Sequence, residues 1–350
     1  MKYSVIGTVE AQAWRESLTR FQTTDIYFLP EYHRVHELNG EGRAQAFVFQ
    51  SGEHLLFYPF LVRPIDSVRQ PDDSLVWYDI ETVYGYSGPL STTMDMSFLT
   101  EAWQAFENWC NDNHIVAEFI RFNPFAGNHR YVTDSSAITL DRETVAIRLG
   151  YSETELWKKY PSGHRTKIRK AIKDGLVCRE TPFGENIELF QRIYEGTMSY
   201  VGATSYYLFP KAFFCSVRDL VGDRTKLFIV LDKGKAVAAA MFFVFGDKMH
   251  YHLGGSDADL RGSRPNNLLF HAVATWANEN GLAWLHLGGG RTSDPSDSLF
   301  AFKSSVSRDR LPFYVGKRIH NREIYDSLCA EWLSRNKVSE RPNYFLLYRL

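Results

Sequence analysis

Cysteine is scarce in this sequence and metal-ligand clusters are missing, which excludes disulfide-built scaffolds and common zinc sites. The 350 residues include only four cysteines, and none is close enough to another for a CxxC pair or a similar spacing. The eleven histidines form no HExxH group, and His250 and His252 alternate along one predicted strand. We therefore predict free thiols and no metal site.

Long apolar runs are also missing. No stretch of about 18 or more uncharged apolar residues occurs, which is the length that a membrane-spanning helix needs. The opening residues carry acidic and polar side chains where a signal peptide has an apolar core. We therefore expect a cytoplasmic protein without stable membrane insertion.

Neither sign of charge is in excess, since 40 Lys and Arg nearly balance 41 Asp and Glu. The formal net charge of −1 provides no whole-molecule field that would attract nucleic acid, so any RNA contact must come from a local patch. The length and the 44% hydrophobic content are those of a globular chain with room for two domains.

The first half of the chain predicts helices and a strand meander. Two runs rich in strand-forming residues flank a turn at Ser51-Gly52, which is typical of a hairpin. Apolar residues at helical spacing follow, from Leu99 to Trp109. The predicted elements are a helical segment at 11–38, strands at 44–50 and 54–65, a strand leading into an ordered loop at 77–90, a helix at 98–113 and a strand at 115–125.

The second half repeats this order of elements. Turns at Asp232-Lys233-Gly234 and Gly246-Asp247 separate three predicted strands. The predicted elements are a basic helix at about 153–174, a short strand, helices at about 186–200 and 210–221, three strands within 225–256, a helix at 267–281 and a strand at 283–290. Helix, meander, helix and strand is the order of a GNAT acyltransferase domain.

We therefore predict an α/β (α+β) fold of two tandem GNAT-like acyltransferase domains, each a mixed, mainly antiparallel sheet flanked by helices. The predicted domains are 1–145 and 146–334. The apolar run 344–348 would not remain in water, so the tail 335–350 is expected to pack on the first domain. Two such domains would create a cleft, where we expect the chemistry.

A basic stretch in the second half predicts a phosphate-binding site. Seven Lys and Arg residues and no carboxylate lie between Lys158 and Lys173. Arg165, Arg169 and Lys173 recur at four-residue spacing, where like charges repel by about 0.2–0.5 kcal/mol per pair. A phosphate-bearing ligand would explain this cluster, and a solvated basic helix face is the alternative.

Two glycine-containing segments indicate which kind of ligand the second half could bind. A GNAT domain that binds acetyl-CoA usually has Q/R-x-x-G-x-G/A after its meander, where backbone amides hold the pyrophosphate. Here Gly262 follows Arg261 directly and Pro265 removes an amide donor, so the pattern disfavours coenzyme A. Further on, three glycines at 288–290 precede Phe302-Lys303. Such glycines permit close approach of a ligand, or form a plain flexible turn.

A series of short motifs together resembles the Fem family of peptidyltransferases and its FemAB-like relatives. The motifs are Y-G-Y-S-G-P-L (84–90), E-F-I-R-F-N-P (118–124), the basic segment 156–175, Y-H-L-G-G-S (251–256), a helix ending in Gly281, L-G-G-G (287–290) and F-K (302–303). The resemblance covers most of the chain. It implies aminoacyl-tRNA as co-substrate, no bound cofactor, and a cell-wall precursor or a small-molecule amine as acceptor.

The resemblance also implies roles for particular residues. Lys303 would lie beside the reacting ester, where a positioned charge typically contributes about 3–4 kcal/mol. Tyr251 would line the site, and Tyr251 and His252 are candidates to orient the amine, although a structural role for His252 is the alternative. Arg165, and next Arg169, matches the segment that engages phosphate. The remaining predicted substrate contacts are Phe302, Tyr84, Tyr86 and Tyr207.

Two departures from the family pattern keep other functions open. No long charged heptad insertion follows residue 200, so the coiled-coil arm of some members is absent. Residues 91–93 are Ser-Thr-Thr where members often have an acidic residue, and some relatives do not use tRNA. The alternatives are an acyl-CoA-dependent N-acyltransferase of the GNAT superfamily, and an inactive module that binds tRNA or a sugar nucleotide.

Overall fold

The chain folds into two compact units. A computed structural model describes residues 2–68, 75–202, 207–257, 261–294, 296–338 and 340–350, with only the backbone of Arg261. One unit runs to Asp141 and resumes at Phe313, and the other spans Arg142–Pro312. The predicted second domain, 146–334, therefore extends too far, because residues 313–334 belong to the first unit.

The first unit is built on a mixed sheet. Its elements are β1 (Tyr3–Gly7), α1 (Ala11–Leu18), α2 (Pro30–Leu38), β2 (Arg43–Ser51), β3 (His54–Pro64), β4 (Tyr78–Glu81), β5 (Leu90–Ser91), α3 (Met96–Asp112) and β6 (Ile115–Arg121). Near the C-terminus of the chain, a returning strand pairs with β6 in antiparallel fashion. β4 and β6 are parallel neighbours, and the pairs from β1 to β4 are antiparallel.

Local sequence explains the hairpin and the main helix of this unit. Gly52 adopts a positive φ of 59° in the turn between β2 and β3, a conformation that favours glycine. The Asp95 side chain accepts hydrogen bonds from the amides of Ser97 and Phe98 and so caps α3. α3 then buries its apolar face, which includes Phe106, against the sheet.

The second unit has the same arrangement of strand directions. Its elements are β7 (Ile138–Arg148), α4 (Glu153–Lys159), α5 (Ser162–Lys173), β8 (Val177–Thr181), α6 (Ile187–Tyr200), α7 (Lys211–Ser216), β9 (Thr225–Asp232), β10 (Lys235–Phe245), β11 (Lys248–Ser256), α8 (Pro265–Glu279), β12 (Trp284–Gly288) and α9 (Ser298–Ser304). The strands lie in the order β7-β12-β11-β10-β9-β8. β11 and β12 are parallel, and their other neighbours are antiparallel.

β11 and β12 pair only at their beginnings. Their register runs from Lys248–Trp284 to His250–His286 and stops there. Directly after this point β11 shifts register against β10, with Phe242 opposite Tyr251 and Met241 opposite Leu253. The extra residue, His252, forms a β-bulge that re-aims the side chains around it. The ends of these two strands therefore provide an open edge within the sheet, where a side chain or ligand can reach.

The predicted basic helix at 153–174 is two helices in the structure. α4 ends at Lys159, Tyr160 is extended at ψ 139°, and α5 begins after Pro161. Proline disfavours helical geometry in the residue before it and lacks an amide hydrogen. The basic residues are thus divided between two helices with separate axes.

The last part of the chain returns to the first unit through β13 (Asp309–Ile319) and α10 (Arg322–Asn336). The sequence patterns do not predict these two elements. Beyond them, Leu347 and Tyr348 are fully buried in a cluster with Ile65 and Val116. The apolar tail thus packs in the first unit, the location that its hydrophobicity indicates.

Candidate active site

The amine of Lys303 is enclosed at the open ends of β11 and β12. Lys303 lies on α9, and only 5% of its side-chain surface is exposed. Its Nζ donates a hydrogen bond to the carbonyl oxygen of Gly289, 2.8 Å away, just beyond the end of β12. The glycine segment and the F-K pair that the sequence singles out therefore meet in space.

Asp297 holds α9 in place. Its carboxylate accepts hydrogen bonds at 2.9 Å from the amides of Leu299 and Phe300 at the start of the helix. The other oxygen accepts from the amides of Arg291 and Thr292. A side chain at Gly290 would overlap this carboxylate, since its Cβ would lie 2.5 Å from Asp297 Oδ1. Asp297 is therefore a structural cap rather than a direct partner of Lys303.

Burial changes the protonation of Lys303. Desolvation lowers its pKa from 10.5 to about 7, and the charge of Asp297 opposes this only in part. The low-dielectric surroundings disfavour the ammonium because one carbonyl replaces the water that an exposed lysine would bind. Neutral and charged forms are thus both populated near neutral pH.

Tyr251 forms the aromatic wall beside Lys303. The Lys303 Nζ lies over its ring, 5.3 Å from the centroid. The ring packs edge-on against Phe242 and Phe270, and Phe302 packs on Phe270 at 5.9 Å. Burial raises the pKa of Tyr251 to about 12, so the phenol is neutral. The structure brings together three predicted site residues, Lys303, Tyr251 and Phe302.

His252 does not join this group. Its ring packs against Phe243, with ring centroids 4.5 Å apart, whereas Tyr251 packs against Phe242, the neighbour of Phe243 on β10. Successive residues of a strand project to opposite faces, so Tyr251 and His252 point away from each other. The structure thus favours the structural alternative for His252.

A buried histidine pair lies where β11 and β12 separate. His250 Nδ1 and His286 Nδ1 are 3.4 Å apart, and His286 Nε2 is 2.9 Å from Thr144 Oγ1. The Thr144 hydroxyl donates to the carbonyl of Leu311, so we assign the ring proton of His286 to Nε2. Desolvation, His250 and Lys303 hold the pKa of His286 well below its usual range. Sequence analysis did not single out His286.

Tyr194 is a second residue that the sequence analysis missed. It lies on α6, and its hydroxyl donates to the carbonyl oxygen of Tyr207 at 2.8 Å. Burial raises the pKa of Tyr194, and Tyr251 and Tyr207 add to this effect, which places the three phenols in one neighbourhood. In the sequence, the one signal at Tyr194 is its helical spacing from Phe190, and that spacing indicates a core residue.

The two predicted phosphate ligands have different surroundings. Arg165 is partly buried, and its Nη1 donates to the carbonyls of Lys158 and Tyr160 at 3.1 and 3.0 Å, which ties α5 to the end of α4. Arg169 is exposed and stacks its guanidinium on Trp157 at 5.3 Å. Arg169 is therefore the more accessible of the two guanidinium groups, and phosphate binding by either residue stays a prediction.

Tyr84 and Tyr86 lie in the first unit, in the loop between β4 and β5. The Tyr84 carbonyl accepts a hydrogen bond from the Tyr32 hydroxyl at 2.6 Å. The Tyr86 ring packs edge-on against Tyr27, and Asn123 Nδ2 donates to the Tyr86 carbonyl. The predicted ordered loop is therefore present and is fixed through its backbone.

The first turn of α8 offers few backbone amide donors among the described residues. Arg264, which precedes the helix, has a left-handed φ of 63°. Pro265 has no amide hydrogen, and the amides of Asn267 and Leu268 donate to the Arg264 carbonyl. At most the amide of Asn266 stays available in this turn, fewer donors than a pyrophosphate cradle needs.

Comparison with known proteins identifies the class of the second unit. Residues 159–304 match the acetyltransferase (GNAT) domain family. This segment contains the strands β9 to β12 and the helices α8 and α9. Lys303 and Tyr251 thus both lie within a GNAT domain.

Particular relatives point to the Fem-like branch. A UDP-N-acetylmuramoylpentapeptide-lysine N(6)-alanyltransferase from Weissella viridescens is 23% identical over 178 residues, which are 49% of this chain and 51% of the relative. The matched segment thus spans about half the length of that curated relative. The crystal structure of FemX has a TM-score of 0.65 at 15% identity and covers 93% of this chain and 99% of its own. The resemblance to Fem-like GNAT proteins is confirmed.

A third comparison supports the tandem architecture. A tandem GNAT protein from the clavulanic acid biosynthesis pathway has a TM-score of 0.50 at 9% identity, with coverage of 90% of this chain and 98% of its own. The predicted fold of two GNAT-like domains is confirmed. Among the described residues, no helix is both long and apolar enough to cross a membrane.

Replacement of Lys303 by methionine should stabilise the protein in a pH-dependent way. Below pH 7 the folded state carries a buried ammonium, so the gain should be largest there. Between about pH 7 and 10.5 the unfolded wild type binds more protons than the folded one, so wild-type stability rises with pH and the advantage of Lys303→Met shrinks. The gain at neutral pH should reach several kcal/mol, since each pH unit between those pKa values corresponds to about 1.4 kcal/mol.

Urea unfolding at a series of pH values from 6 to 10 measures this difference. The exposed Lys235, which is 75% accessible, provides the matched control through Lys235→Met. A stability difference that does not vary with pH for Lys303→Met would show that the amine titrates as an ordinary lysine.

Proposed function

We propose that the chain is an acyltransferase that joins an aminoacyl group to an acceptor amine through an amide bond. The observation that supports this most strongly is the enclosed amine of Lys303, held by Gly289 and covered by Tyr251. An amine whose pKa is about 7 can exchange protons under physiological conditions, which an ordinary surface lysine does poorly. Its position inside a GNAT domain links that chemistry to acyl transfer.

Lys303 would act as both base and acid in this reaction. The acceptor arrives as an ammonium, and neutral Lys303 takes one of its protons. The freed amine attacks the ester carbonyl, the C–N bond forms, and charge develops on the carbonyl oxygen beside the new lysine ammonium. As the ester C–O bond breaks, Lys303 returns its proton to the leaving oxygen, and the second proton of the attacking nitrogen leaves to solvent. Such assistance contributes about 10²–10⁴-fold.

The proposed donor is aminoacyl-tRNA rather than acyl-CoA. The first turn of α8 offers few amide donors because of Pro265 and the bonds to the Arg264 carbonyl. The exposed Arg169 on α5 provides positive charge that a phosphate backbone would bind. Aminoacyl-tRNA brings phosphates and an activated ester in one molecule, and so needs no bound cofactor.

The proposed acceptor is a peptidoglycan precursor with a free amine, or a small-molecule amine. Support for the precursor comes from the Weissella viridescens relative, whose name describes alanyl transfer to the lysine of a UDP-N-acetylmuramoylpentapeptide.

An acyl-CoA-dependent N-acyltransferase is the second candidate, because the matching family is named for acetyl transfer. Thermal unfolding in the presence of each ligand separates the candidates. Binding raises stability by about 2.7 kcal/mol at a hundredfold excess over Kd. We expect aminoacyl-tRNA to raise the midpoint and coenzyme A to leave it unchanged. The opposite pattern would support the acyl-CoA candidate, and binding of tRNA without turnover would support an inactive binding module.

Substitution of the two arginines should separate binding from folding. Arg169→Gln should weaken tRNA binding and lower its dependence on salt, because a phosphate contact is lost, with a loss of stability of only about 0.5–1 kcal/mol from the Trp157 contact. Arg165→Gln should lower stability by about 1–3 kcal/mol through the bonds that join α4 and α5. Filter binding at several salt concentrations and urea unfolding measure the two effects, with Lys235→Gln as control. Unchanged tRNA affinity in Arg169→Gln would show that the basic helix face is only solvated and does not bind phosphate.

Lys303→Ala should lower turnover far more than affinity, because its proton transfer and charge act mainly in the transition state. Loss of one such group should slow a single turnover by about 10²-fold or more. Rapid-quench measurement of amide formation, alongside separate binding titrations, tests this. A rate within about threefold of wild type would remove Lys303 from the reaction.

A further inference from the structure

Two adjacent glycines near the end of β11 meet opposite surroundings. A Cβ on Gly254 would lie 2.5 Å from the Tyr251 hydroxyl oxygen, 2.9 Å from the Tyr251 ring and 2.9 Å from the Cβ of Ala240 on β10. A Cβ on Gly255 would instead meet α6, at 2.6 Å from both the Ile193 carbonyl oxygen and Thr197 Oγ1. Real Cβ atoms do not approach other atoms so closely. The missing side chain at Gly254 therefore leaves room for Tyr251 and Ala240, and the one at Gly255 leaves room for α6.

Gly254 admits the phenol of Tyr251. The ring extends along its own strand, so that its hydroxyl end lies against residue 254. In this position the ring faces Lys303 Nζ at 5.3 Å from the centroid, and Phe242 and Phe270 hold it edge-on. The tilt of the ring over the amine thus depends on the missing side chain at residue 254.

Other groups that face Lys303 set its electrostatic surroundings. The structure places polar or charged groups on each element around it: Tyr251 and His250 on β11, His286 on β12, Asp297 at the start of α9, and Arg142 on β7, whose Nη1 donates to the Gly290 carbonyl. Asp297 favours the ammonium, and its oxygens are committed to backbone amides. The Tyr251 ring is the aromatic cover between the amine and the open strand ends.

We propose that Gly254 is a positioning residue that acts through Tyr251, because its lack of a side chain lets the phenol ring lie over Lys303 and exclude water from the amine. This inference rests on the proposed function only for its catalytic consequence. A methyl group at residue 254 would displace the ring, hydrate the amine and make it more basic. A methyl group on Gly196 would have no such effect, since this residue is exposed on α6 and, among the described residues, its Cβ position has no atom within 4 Å outside its own helix.

The test measures the protonation of Lys303 directly and needs no substrate. Lysines of the full chain are reductively methylated with ¹³C, and the Lys303 signal is assigned by its absence in Lys303→Met. We expect the titration midpoint of this signal to rise by about one pH unit or more in Gly254→Ala, toward the value of a hydrated lysine. Gly196→Ala is the matched control, since its methyl group meets no described residue outside its own helix, and its midpoint should equal that of wild type.

A second pair of variants keeps the test decisive if Gly254→Ala does not fold. A Cβ on Gly254 also meets the Cβ of Ala240, so both variants of this pair carry Ala240→Gly. In that background Tyr251→Ala and Tyr251→Ala/Gly254→Ala should fold alike and share one raised midpoint. A wild-type midpoint in folded Gly254→Ala would overturn the proposal. In the Ala240→Gly background, failure of Tyr251→Ala/Gly254→Ala to fold where Tyr251→Ala folds would also overturn it.

Kinetics then connect this role to the reaction. If Lys303 is the base, the pH profile of kcat/KM should move upward with the midpoint in Gly254→Ala and stay in place in Gly196→Ala. A midpoint that moves in a protein without acyl transfer would refute the proposed function and leave the positioning role supported.

Discussion

The hydrogen bond from Lys303 Nζ to the Gly289 carbonyl is the interaction on which the candidate site depends. A primary amine buried in apolar surroundings loses the water that stabilises its charge, and a single carbonyl compensates only in part. Asp297 must hold α9 so that the amine reaches this carbonyl, and Gly290 must leave space for the Asp297 carboxylate. The fold therefore encloses this amine at the expense of folding stability.

The separation of β11 and β12 creates the space for this amine. After His250 and His286 the two strands no longer pair, and the bulge at His252 turns the end of β11. The histidine pair fills the point of separation, where burial and its neighbours hold the pKa of His286 well below its usual range. The backbone of the sheet, rather than any one side chain, thus decides where Lys303 and Tyr251 meet.

The basic segment shows how one residue type serves two purposes. Arg165 uses its guanidinium to join α4 and α5 across the break at Pro161, while Arg169 stays exposed on Trp157. Both arginines have the same spacing and charge in the sequence. Only their surroundings in the folded protein distinguish Arg165, which makes internal hydrogen bonds, from Arg169, which a phosphate could reach.

The sequence by itself determined the local elements and the residues that carry charge into the site, because periodicity and turn chemistry depend on near neighbours. It thus predicted the meanders and the GNAT order of elements, and the family resemblance added Lys303 and Tyr251 as predicted site residues. The tertiary structure decided what depends on distant contacts: the return of β13 to the first unit, the exclusion of His252 from the site, the presence of Tyr194, and the protonation of Lys303. Packing across strands decides which neighbours a side chain meets, and burial changes a pKa, through residues far apart in the chain, so no local pattern records them.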